Sequence, residues 1–366
     1  MDARELSVSD FTGQQLNALL HSLGITDTPT ESAALLAETL GPGGALPLAA
    51  QPVWLSDVAD DHTPVEFSAA FAAGEAPVVR TIVETTAIAP SRRTNTAAAL
   101  ECLDRLRDRP ELGLDLRRFD SVRDLFLPER PEQDFTLWYS LVFRGGTAPG
   151  VKVYLNPEVR GVDAAEDLVR EGLARTGFGD AFRILRERAV TRPGLDRYSF
   201  FALDLTDPAR ARVKVYISHH AAGVDEVTRA AEAARGVDVD RLPDFCLLTG
   251  GHTARFDGRP LISSYTFLEG DTDRPSGYSL YVPIRDYVED DAEARERVLA
   301  VMAKYDMDPA PFDDALAAVA RRRLADGVGL IAHVSLRMGR PRPGITVYLS
   351  AEAHAVAPPR PVRLAS

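Results

Sequence analysis

The chain has 366 residues, 26% of them charged and 45% hydrophobic, and a net charge of −12, the composition of an ordinary globule. That acidic balance, with no arginine-rich stripe clear of nearby acids, argues against a nucleic-acid partner. Two cysteines without metal-ligand spacing, no leader-like start and no apolar run of membrane length point to a cytoplasmic protein with buried thiols and no membrane partner.

The predicted elements follow one order, helix, helix, hairpin, repeated. Residues 8–40 carry Leu16, Leu19, Leu20 and Leu23 at helical spacing, and two strand-like runs follow at 64–71 and 77–86. A second unit places helices near 94–108 and 115–126 before strands at 135–143 and 151–155. The third has helices near 162–174 and 178–189, then strands at 198–205 and 212–218. The fourth has a helix near 223–235, a less regular stretch to 248, then strands at 260–268 and 278–284. The fifth has helices near 291–304 and 311–324, then strands at 330–338 and 345–350. Five ααββ units give ten antiparallel strands, and closing them into a barrel with the helices outside removes every sheet edge. The expected fold is therefore α+β, with residues 1–354 as a single barrel domain and a disordered tail at 355–366.

The strands repeat a word. Lys152 and Lys214 both stand in Val-Lys-Val-Tyr, and Tyr154, Tyr216, Tyr281 and Tyr348 recur at intervals of 62, 65 and 67 residues, the mark of one reused supersecondary unit. The chain has 39 arginines and three lysines, so lysine kept twice at one repeat position points to a compact point charge with a specific use. Residues two apart in a strand share a face, so Arg212, Lys214 and Tyr216 point one way while Val213 and Val215 point the other. If the valines pack on helices, the cations enter the lumen, where Arg80, Lys152 and Arg337 join them. Five cations in an enclosed space call for an anion, and a diphosphate fits. The tyrosine rings beside it would stabilise and shield an allylic cation. Glu66, on the face opposite Val65 and Phe67, is either an exposed carboxylate or a lumen one; inside the lumen it would accept a hydrogen bond from an aromatic N–H. No Asp-Asp-x-x-Asp metal box, HExxH, P-loop or GxGxxG strand–helix turn appears, so side chains must neutralise the anion.

These residues, in their order and spacing from about 62 to 350, resemble the aromatic prenyltransferases of the dimethylallyltryptophan synthase type, which share the ABBA barrel of five ααββ units. The resemblance implies a bacterial dimethylallyltransferase that moves the prenyl group of dimethylallyl diphosphate onto tryptophan or another indole by electrophilic aromatic substitution, with no Mg²⁺ required. By the same resemblance Glu66 holds the indole N–H. Arg80, Lys152, Arg212, Lys214 and Arg337 bind diphosphate, and Tyr154, Tyr216, Tyr281 and Tyr348 form the tyrosine shield. In the register set by Arg144-Gly-Gly, Trp138 stands where some members carry a proton-removing lysine. Trp138 and His333 are candidates to line the acceptor pocket, and Arg340 is the alternative to Arg337. A hydroxynaphthalene, tyrosine or cyclic-dipeptide acceptor, or a non-catalytic carrier of isoprenoid diphosphates, remains open on this reading.

Overall fold

The computed structural model describes residues 6–26, 31–48, 51–133, 135–338 and 343–361. Each predicted unit is present. The first is α1 (Val8–Ser22), α2 (Ser32–Leu40), β1 (Val65–Ala72) and β2 (Val78–Glu84); the second is α3 (Arg92–Arg107), α4 (Arg117–Phe126), β3 (Leu137–Phe143) and β4 (Gly150–Leu155). The third is α5 (Ala165–Arg175), α6 (Phe182–Arg188), β5 (Asp196–Asp204) and β6 (Val213–His219). The fourth is α7 (Val224–Ala231), α8 (Arg241–Gly250), β7 (Leu261–Phe267) and β8 (Gly277–Val282), and the fifth is α9 (Asp291–Lys304), α10 (Ala310–Val319), β9 (Ile331–Met338) and β10 (Gly344–Ser350). Every strand pairs antiparallel with its sequence neighbour, and β1 pairs with β10, closing the barrel.

Local chemistry starts and stops these elements. Ser7 and Asp10 form a reciprocal cap at the start of α1, Ser91 accepts from the Thr94 N–H at α3, and Asp290 accepts from the Glu293 N–H at α9. Gly41 ends α2 at φ 73°, and a Cβ there would lie 2.7 Å from the Thr85 methyl, so backbone and packing both require glycine.

Strict alternation sorts each strand into two faces. Val65, Phe67, Ala69 and Phe71 of β1 join the core between barrel and helices, as do Val213, Val215 and Ile217 of β6. Outward tyrosines tie the layers: Tyr139 donates to the Ala99 carbonyl of α3 at 2.7 Å, and Tyr265 to the Ala230 carbonyl of α7 at 2.9 Å. The opposite face, with Glu66, Ser68, Lys152, Tyr154 and their neighbours, is left for the lumen. Cys102 and Cys246 are buried free thiols in this outer layer, and among the described residues no helix is long and apolar enough to cross a membrane.

The fifth unit is clasped by one carboxylate. Buried Asp291, opening α9, accepts from the backbone N–H groups of Gly329, Leu330 and Ile331 at 3.2, 3.1 and 2.9 Å, and from Arg322 at 2.5 Å. Asp291→Ala would strand those backbone donors and leave the Arg322 guanidinium to Glu352, at an expected loss of about 3 kcal/mol in equilibrium urea unfolding. A loss below about 1 kcal/mol would mean that water replaces the carboxylate.

The described part of the tail makes contacts with the barrel's surroundings. Ala357 bridges to Val328, the Arg360 N–H donates to the Glu289 carbonyl, and the Arg360 guanidinium pairs with Asp286 at 3.0 Å. An exposed Pro-rich composition concealed these tertiary partners; residues 362–366 lie outside the described residues.

Candidate active site

The lumen holds a continuous arc of four phenols. Ring centroids of Tyr154 and Tyr216 are 5.7 Å apart, those of Tyr216 and Tyr281 5.9 Å, and those of Tyr281 and Tyr348 5.7 Å. Each comes from the second strand of its hairpin, so repetition of the unit brings the rings together around the barrel. Phe200 of β5 packs edge-on to Tyr154 and Tyr216. A bulge between Tyr198 and Phe200 turns Phe200 inward. Burial holds the Tyr154, Tyr216 and Tyr348 hydroxyls well above the usual phenol range, so these rings stay neutral.

The cation cluster sits at the hydroxyl side of this arc. Lys152 Nζ donates to the Tyr154 and Tyr216 hydroxyls at 3.2 Å each and lies 4.4 Å from the Tyr154 ring centre, a cation–π geometry. Burial, then the neighbouring Lys214 ammonium, holds the Lys152 pKa well below the usual lysine value. Lys214 is lowered to about 7, first by burial and then by Arg212, with Arg80 and Arg337 adding repulsion and Asp204 opposing it. Arg80, Lys152 and Lys214 thus share one electrostatic site. Across the register each faces a hydroxyl residue: Arg80 is opposite Ser68, Lys152 opposite Ser140 and Lys214 opposite Thr266.

Two predicted cations stand differently. Arg212 immediately precedes β6, and its Nε donates to the Asp204 carboxylate at 2.6 Å, so part of its fork is already engaged. Arg337 is at the rim, half exposed, 3.7 Å from Glu75 and folded over Gly344 of β10; it reaches the cluster through its field at Lys214. Arg340 lies outside the described residues. Asp204 and Arg144, which feels Arg80 and Arg212, are members that motif reading missed. The signal for Asp204 was its place opposite Lys152 across β4 and β5, which requires the strand register.

The ring faces of the arc line a cavity of about 130 Å³ shared with Glu66, Trp138, Phe200 and His333, close to the engineered apolar cavity of about 150 Å³ that takes up benzene. Trp138 stacks on Phe135 at 4.0 Å, with Val58 completing the cluster. Glu66 is buried, and its carboxyl is raised from 4.5 to about 8, chiefly by burial, with Arg285 lowering it and Asp60 raising it. Arg285, also unread in the sequence, pairs with Asp60 at 2.5 Å and donates to the His333 ring at 3.0 Å. Burial and the cations Arg285 and Arg259 hold His333 well below the usual histidine pKa, so its ring is neutral. Among the described residues no group of three or more His, Cys, Asp or Glu is arranged to hold a metal ion.

A pocket with an N–H acceptor at one side, π faces at the other and clustered cations behind them suits an aromatic nucleophile and an allylic diphosphate. Comparison with known proteins agrees. The family model described as tryptophan dimethylallyltransferase matches residues 9–311. A 6-dimethylallyltryptophan synthase from Micromonospora olivasterospora, solved in complex with DMASPP and Trp, is 53% identical with a TM-score of 0.91, covering 97% of this chain and 100% of that one. A second structure named 6-dimethylallyl tryptophan synthase is 52% identical with a TM-score of 0.92, covering 98% of this chain and 100% of that one. The 5-dimethylallyltryptophan synthase of Streptomyces coelicolor is 37% identical with a TM-score of 0.88, covering 96% and 99%. With sequence and barrel matched over nearly the whole length, this chain belongs to the tryptophan dimethylallyltransferase family.

Proposed function

We propose that this protein transfers the dimethylallyl group of dimethylallyl diphosphate to L-tryptophan without a divalent metal, forming the new bond at indole C6. The observation that carries the reading is the cavity bounded by Glu66 and the four-tyrosine arc, with Lys152 bridging the phenols to the cation cluster. The choice of C6 is supported by the names of the two structures above 50% identity.

In this reading Arg80, Lys152, Arg212 and Lys214 take the diphosphate, with Arg337 contributing from the rim. The allylic C1–O bond breaks, and its electron pair leaves with the diphosphate. Positive charge then spreads over the dimethylallyl carbons, against neutral ring faces that stabilise it. Glu66 accepts the indole N–H, orienting the ring and raising its electron density. The indole π pair attacks the allylic cation, and loss of the ring proton restores aromaticity. Trp138, stacked in the cavity wall, supplies no base there. The titratable groups that line the cavity, Glu66 and His333 among them, are the nearest candidates for that proton.

Mass spectrometry of the protein incubated with dimethylallyl diphosphate and L-tryptophan in EDTA tests this. A tryptophan product heavier by one isoprenyl unit, with NMR placing the substituent at C6, is the expected result. Product only after Mg²⁺ addition would refute metal independence, and a bond at another carbon would refute the C6 assignment. Donor binding without any product from a range of aromatic acceptors would identify a carrier instead.

A further inference from the structure

Asp204 is an acid inside a site otherwise built of cations. It ends β5 opposite Lys152 of β4, and its carboxylate takes the Arg212 Nε–H at 2.6 Å, an Nη2–H at 3.3 Å and the Arg212 backbone N–H at 3.3 Å. It lines a cavity of about 430 Å³ together with Lys152, Arg212, Arg144 and Arg210. Around it stand Lys152 from β4, Lys214 and Arg212 from β6 and its approach, Arg144 from the β3–β4 turn, and Arg210 from the β5–β6 turn. Arg80 of β2 adds its field at both lysines.

A carboxylate there is an obstacle to binding an anion, so its presence needs a reason. Packed cations repel one another, and burial removes the water that would screen them. Two of these cations are lysines, which escape repulsion by losing a proton, whereas arginine does not. A neutral amine is a poor ligand for a diphosphate oxygen.

Resting on the donor-site reading above, we propose that Asp204 is a positioning residue: it fixes the Arg212 guanidinium and offsets the mutual repulsion of the Lys152 and Lys214 side chains, keeping the empty site ready for a diphosphate. The directions of charge coupling agree. Asp204 favours the charged forms of Lys152 and Lys214, and Arg212 and Lys152 hold Asp204 ionised against its burial. Diphosphate brings its own negative charge and takes over this role, so its binding draws protons onto the lysines. The Asp204 charge then opposes retention of the diphosphate left after transfer.

Calorimetric titration of inorganic diphosphate in metal-free buffer from pH 5 to 9 tests the proposal, with wild type, Asp204→Asn and Asp204→Glu compared so that titration of the ligand itself is common to all. Wild-type affinity should fall as pH rises through the lysine range. In Asp204→Asn that fall should begin about one pH unit lower, a tenfold change in the protonation equilibrium. At pH 5, below the Lys214 value of about 7 even after that drop, Asp204→Asn should bind diphosphate about tenfold more tightly, and Asp204→Glu should return the profile toward wild type. A uniform affinity loss at every pH in Asp204→Asn, or a profile superimposable on wild type, would overturn the proposal. A wild-type protein that binds no diphosphate at any pH would overturn the donor-site reading itself, and this inference with it.

Discussion

Glu66→Gln is expected to lower turnover by about 10²- to 10⁴-fold while making the protein more stable at neutral and alkaline pH. Both effects have one cause. The Glu66 carboxyl is raised to about 8 in the fold, chiefly by burial, whereas the same group ionises near 4.5 in the unfolded chain. Between those values the folded state holds a proton that the unfolded chain has released. Wild-type stability therefore falls as pH rises across that window and levels off above it. Glutamine has no proton to lose, so the variant's advantage should be absent below about pH 4.5 and grow to a few kcal/mol by pH 8. An indole N–H favours the carboxylate form, so acceptor binding lowers the pKa again. The acid limb of kcat/KM for tryptophan should thus lie near pH 8, and that of kcat lower. Thermal melts of both proteins at pH 5 and pH 8, beside initial rates, provide the test. Undiminished turnover would make Glu66 peripheral to the chemistry, and a stability difference independent of pH would show that its carboxyl stays hydrated.

The barrel was legible because it is made of copies. Each Val-x-Val-Tyr word carries its own alternation, so the inward Lys and Tyr were separated from the outward Val before any contact was known. The strand bounds moved by two residues at most, as for Leu137–Phe143 against the expected 135–143 and Gly277–Val282 against 278–284. Partners were not legible in the same way. Asp204 and Arg212 are eight residues apart and join across a turn; Asp60 and Arg285 are separated by 225 positions. No spacing rule links such pairs, and only barrel closure decides which charges share a space. Arg337 shows the opposite failure. Its strand parity agrees with the lumen face, but its position near the end of β9 leaves the guanidinium at the rim beside Glu75. Parity fixes a face and says nothing of depth.

Depth is what makes Lys152 the sharpest test of the cation cluster. It is buried, its Nζ is held by two phenol hydroxyls, and its pKa is pushed well down by burial and by Lys214. Lys152→Met keeps the length of the side chain and removes the charge, and kcat/KM for dimethylallyl diphosphate should fall by about 10²-fold or more, the scale of losing a buried charge partner. Lys152→Arg should not restore it, because a planar fork cannot occupy the place of a compact ammonium between two hydroxyls. The pH slope of stability has the opposite sign to that at Glu66. A lysine whose folded pKa lies below its unfolded value gives a wild-type stability that rises with pH between the two. Lys152→Met should flatten that rise and gain stability near neutrality. Inorganic diphosphate should raise the wild-type melting temperature, as any ligand of the folded state does, and raise that of the variant much less. Equal shifts in the two proteins would place the diphosphate away from Lys152, and with it the leaving group away from the tyrosine arc.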